Sequence, residues 1–88
     1  TDVILDRETD TLLICDRDNR RVMRWPRRPS SSRQGEIVID AIGCRGLAMD
    51  QQGSLYVSDW LKHEVRRFDK GGDKKGTVVA GGYGPGPK

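Results

Sequence analysis

The feature that most constrains this chain is that it repeats itself. Displaced by 43–44 residues, Ile4-Leu5-Asp6 falls on Ala48-Met49-Asp50, and Leu12-Leu13-Ile14-Cys15-Asp16 falls on Leu55-Tyr56-Val57-Ser58-Asp59. Val22-Met23-Arg24-Trp25 falls on Val65-Arg66-Arg67-Phe68. Gly35-Glu36-Ile37-Val38-Ile39 falls on Gly76-Thr77-Val78-Val79-Ala80 once two extra loop residues are allowed in the first copy. Self-similarity at such a period marks a supersecondary unit that is stacked rather than folded alone.

Each unit reads as four short antiparallel strands. Runs rich in β-branched and aromatic residues, cut by Gly, Asp and Asn turns, are the all-β pattern. The expected strands are Val3–Arg7, Thr11–Cys15, Arg21–Trp25, Glu36–Asp40, Gly46–Asp50, Ser54–Ser58, Glu64–Phe68 and Thr77–Ala80. Glu8-Thr9-Asp10 and Gln51-Gln52-Gly53 are hairpin loops. Pro26–Arg33 and Gly71–Gly76 are longer loops. Four strands in about 43 residues is the size of a propeller blade. A lone twisted sheet has two faces and cannot cover both, so stacking is expected. Residues 1–43 are the first blade, 44–82 the second, and 83–88 a linker or tail.

Composition narrows the reading. Hydrophobic residues make up 34% and charged residues 33% of the 88 residues, and 11 glycines bring the apolar share into the globular range. No apolar run is long enough for a membrane-spanning helix, so no membrane role is expected. No targeting peptide is visible, and the absence of an initiator Met suggests a processed or excised piece. Net charge is +3, and residues 17–33 alone hold seven Arg and one Asp.

The spelling of the repeats resembles the NHL repeat. Gly46-Leu47-Ala48-Met49-Asp50, Gly53-Ser54-Leu55-Tyr56-Val57-Ser58-Asp59 and Glu64-Val65-Arg66-Arg67-Phe68 carry the resemblance in the second copy. Leu13-Ile14-Cys15-Asp16, Asn19-Arg20-Arg21-Val22 and Trp25 carry it in the first. The first copy lacks the Gly before its opening strand. An Asp16–Arg21 pairing in the first copy has no counterpart in the second, where Asp59 faces Glu64. The resemblance implies a β-propeller that binds something, mostly protein and sometimes RNA or carbohydrate. It does not imply catalysis, although some six-bladed relatives are enzymes with a metal in the central channel.

The Arg-rich stretch has the composition of a nucleic-acid surface, but a propeller divides it. Arg17 and Arg20 fall on one face of the ring, and Arg27, Arg28 and Arg33 on the other, so a nucleic-acid partner is not expected. Arg24 has a repeat mate in Arg67. Pairing between blades, with an acid such as Asp6 or Asp50, is the expected role. Asp16-Arg17-Asp18-Asn19 opens like a calcium loop but puts Arg20 and Arg21 at the fifth and sixth positions, where a ligand and Gly are needed. His63 is the sole histidine and sits in a loop. Cys15 and Cys44 are expected as buried free thiols, with a bridge left open for the Cα separation to decide. Gly81–Lys88 is no phosphate loop, because Pro removes NH donors and blocks a following helix. No fold needs Trp60-Leu61 at a hairpin tip. Trp60 either folds back on the neighbouring blade or anchors a partner.

The expectation is therefore an all-β chain of two NHL-like propeller blades, completed to six blades by three chains or by the rest of a longer propeller. Its expected role is a scaffold for protein binding or self-assembly, without catalysis, cofactor or metal. The candidate binding residues are Arg17, Asn19, Arg20, Arg45, Trp60, Lys62 and His63. Two alternatives stand beside it: a lactonase- or lyase-type propeller enzyme with a channel metal held by Asp2, and carbohydrate or RNA binding on the propeller face.

Overall fold

A computed structural model describes residues 2–28, 34–72 and 75–81. The chain is all-β. Its strands are β1 (Val3–Asp6), β2 (Thr11–Asp16), β3 (Arg21–Pro26), β4 (Glu36–Ile39), β5 (Cys44–Met49), β6 (Leu55–Asp59), β7 (Glu64–Phe68) and β8 (Thr77–Gly81). They form two four-stranded antiparallel sheets, ordered β1-β2-β3-β4 and β5-β6-β7-β8. One short 3-10 turn, Arg17–Asn19, links β2 to β3. Every expected strand forms. The largest difference is at β5, which begins at Cys44 rather than Gly46. Cys44 pairs with Asp59 and Gly46 with Ser58, so Arg45 is extruded as a bulge. Arg33 and the tail from Gly82 to Lys88 lie outside the described residues.

The two sheets share one register. Ile4↔Leu13 and Leu13↔Arg24 in the first recur as Ala48↔Tyr56 and Tyr56↔Arg67 in the second. The bulge recurs as well: Val38 is the extra residue of β4 and Val79 that of β8. The turns repeat in detail. Asp10 and Gly53 take positive φ (57° and 88°) at the first hairpin, as do Arg20 and His63 (51° and 54°) at the second. The carboxylates of Asp6 and Asp50 accept the backbone NH of Glu8 and Gln52.

Period-two alternation gives each sheet two faces. Leu13, Cys15, Val22 and Ile39 form the inner face of the first sheet, and Leu47, Leu55, Val57 and Phe68 a face of the second. Together with Ile42 and Cys44 they make one continuous core. A cavity of about 250 Å³ lies between the sheets, lined by Leu13, Arg24 and Val38 from one and Met49, Leu55 and Phe68 from the other. The packing is one-way. The face that the second sheet turns to the core corresponds, position for position, to the outer face of the first.

Among the described residues, beside the ion pair of Glu8 with Lys70, two further ties cross between the sheets. The first is a disulfide, Cys15–Cys44, with Cα atoms 5.4 Å apart. The expectation of free thiols is thus corrected. The early start of β5 carries Cys44 over the inward-facing Cys15, which spacing alone does not reveal. The second is Asp2, whose Oδ2 accepts the backbone NH of Leu47 at 2.8 Å.

The role expected of Arg24 is also corrected. It pairs within its own sheet, reaching across β2 to Asp6 at 2.9 Å and to the hydroxyl of Thr11. Asp50 does not take Arg67. The hydroxyl of Tyr56 donates to Asp50, and Arg67 pairs with Asp69 at 3.0 Å.

Candidate binding face

The loops β2–β3, β4–β5 and β6–β7 meet at one end of the two sheets. Their backbones are joined there: Ile42 donates its NH to Arg20 (2.9 Å), and Trp60 to Gly43 (2.9 Å). Asp59 is buried and ties the corner down. Its Oδ1 accepts the NH groups of Gly43, Leu61 and Lys62. The register does set Asp59 opposite Glu64. The two carboxylates are kept apart in partner, since Glu64 pairs with Arg66 at 2.7 Å.

At the first turn Asp16 accepts from Arg21 Nε (2.8 Å) and from the Asn19 amide. These bonds, Arg21 foremost, hold the Asp16 carboxyl below its ordinary value. Asn19 is thereby committed to the turn. Arg17 and Arg20 are left exposed on its surface. They line an open groove of about 550 Å³ together with Asp18, Met23, Trp25 and Trp60. Trp60 is 47% exposed. Its neighbour Leu61 is the residue that folds back, against Gly43, where any Cβ would meet the Leu61 side chain.

Arg45 and His63 share a second, shallower depression with Trp60. Lys62 instead lines a separate hollow with Asp40, Ala41 and Ile42. The structure therefore gathers Arg17, Arg20 and Trp60 on one side, and Arg45 and His63 on the other side of the same indole. Asp18, Met23 and Trp25 were not anticipated. For Met23 and Trp25 a signal exists: with Ile14 they alternate onto the outer face of the first sheet, where Met23 is buried and Trp25 half-exposed.

The Arg-rich segment divides as expected among the described residues. Arg17 and Arg20 lie at the β2–β3 end. Arg27 lies at the opposite end, where it donates its NH to Asp10 O and pairs with the Asp10 carboxylate. Among the described residues, no group of three or more His, Cys, Asp or Glu is arranged to hold a metal ion, and no helix is long and apolar enough to cross a membrane. No family model, curated protein or solved structure matches the chain.

Proposed function

We propose that this chain is a pair of NHL-like propeller blades that serves as a protein-binding scaffold, with its ligand on the β2–β3, β4–β5 and β6–β7 loop face. The observation that carries this reading is Trp60: a half-exposed indole at a hairpin tip whose backbone is fixed by Asp59 and Gly43. An aromatic ring held in place and bordered by Arg17 and Arg20 combines a low-entropy contact surface with steering charge. The shared register of the two sheets and their one-way packing support the propeller part of the reading.

Catalysis is the weaker reading. The channel-metal alternative rests on Asp2, and both its oxygens already accept backbone NH groups, from Val3 and Leu47. RNA is weaker too, because Arg17 and Arg20 stand apart from Arg27.

A displayed peptide library selected against the intact chain tests the proposal. Trp60→Ala should lower the affinity of the selected peptides roughly tenfold or more, with an unchanged thermal transition. An unchanged affinity in a folded variant removes the loop face as the site.

A further inference from the structure

The outer face of the first sheet is apolar and largely exposed, although Met23 on it is buried and Gly35 lies against the Trp25 ring. Val3 and Leu5 on β1 are 50% and 39% exposed, Trp25 on β3 is 45% and Ile37 on β4 is 48%. The register gives each a counterpart in the second sheet: Leu47, Met49, Phe68 and Val78. Leu47 and Phe68 belong to the core, and Met49 packs against it. Val78, on the fourth strand, is 41% exposed, so over the first three strands of the unit the same face is covered once and bare once.

The converse holds on the far side. The back of the second sheet corresponds to the inner face of the first. Ala48 stands where Ile4 stands, Val65 where Val22 does, and Val79 where the bulged Val38 does. Ile4, Val22 and Val38 pack in or against the core. Ala48 and Val79 are exposed. One front-to-back contact is satisfied inside the chain, and one front and one back are left over.

We propose that a second copy of this chain seats the back of its second sheet on the outer face of the first sheet, repeating the contact already made between the two sheets of one chain. The occupant is set by continuity with that internal interface: the leftover front and back are register-matched to the two surfaces that already pack. The contact is heterologous, so it joins copies head to tail and closes only when a ring is complete. Six sheets correspond to three chains. This closure rests on the propeller reading above.

The contact between copies is weaker than the internal one by construction. Cys15 corresponds to Ser58, so no disulfide forms across it. Asp2 corresponds to Gly46, so the carboxylate tie is missing as well. Association is therefore reversible and follows concentration.

Two exposed positions, one on β1 and one on β5, provide the test. Leu5→Lys spoils the front and Ala48→Lys spoils the back, each outside the core. In sedimentation the wild type should exceed the 9.9 kDa monomer mass, with mass rising with concentration toward three copies. Each variant alone should sediment as a monomer, and their equimolar mixture as a dimer and nothing larger. The near-UV circular dichroism of both variants should match the wild type. A wild type that stays monomeric at its highest soluble concentration, a mixture that stays monomeric, or assembly untouched by either variant overturns the proposal. A monomer that still binds peptides through Trp60 would sink the stacking alone. An assembly whose selected peptides ignore Trp60→Ala would sink the loop-face reading alone.

Discussion

Arg24 shows how a single side chain orders one end of the first sheet. It is mostly buried, and it donates to Asp6, Thr9 and Thr11. Burial by itself would raise the Asp6 carboxyl, but hydrogen bonds from Arg24 and Thr9 and the Arg24 charge outweigh it, so the group sits below its ordinary 3.8. A carboxyl lowered on folding adds stability that is full above the unfolded value and is lost as pH falls through the folded value. Asp6→Asn should therefore cost about 1–3 kcal/mol at neutral pH, and that difference should shrink below pH 3.8. Denaturant titrations of both proteins across that range measure it. Repeat arithmetic does pick out Arg24 and Asp6, but not their geometry. Leu13 lets Arg24 reach across β2 to Asp6. Tyr56 replaces Leu13 in the second copy, its hydroxyl takes Asp50, and Arg67 turns to Asp69. Two differences, Tyr56 for Leu13 and Asp69 for Pro26, reroute the network.

At the scale of elements, strand cores were legible and strand ends were not. Alternating runs such as Thr11–Cys15 declare themselves because half of each run must be apolar to meet the core. The start of β5 does not, since its bulge at Arg45 depends on where Asp59 stands across the ladder. The turn before β8 is more exacting than its glycine-rich sequence suggests. Gly76 takes φ 69°, and a Cβ there would lie 2.7 Å from the Arg67 carbonyl oxygen and 2.8 Å from the Phe68 ring. Phe68 is a core residue, so it has little room to yield. Gly76→Ala should cost about 1 kcal/mol or more, read as a lowered unfolding midpoint. Gly71→Ala serves as the control: it has positive φ but open space around it.

At the scale of the whole molecule, stability depends on the seam between the sheets. Each sheet contributes only one covered face, and a chain of this size leaves much of its surface wet. The Cys15–Cys44 bridge closes a loop with a sequence separation of 29, which on the chain-entropy account adds about 3–4 kcal/mol. Cys15→Ala with Cys44→Ala should lose most of that in a chemical denaturation measurement. A loss well under 1 kcal/mol would show that packing alone holds the sheets. That the halves must lean on each other follows from sequence, because neither can hide its apolar sides. Which faces meet does not follow from composition, and it emerges only when the two registers are overlaid.

The bridge also decides how the molecule comes apart when cut. It joins β2 of one sheet to β5 of the next, and β3, β4 and the basic segment between them hang within the closed loop. A trypsin-like protease that cleaves after Arg27 nicks the backbone without releasing either fragment. The two pieces travel together until a reductant parts them, so backbone scission in this segment does not by itself dismantle the fold.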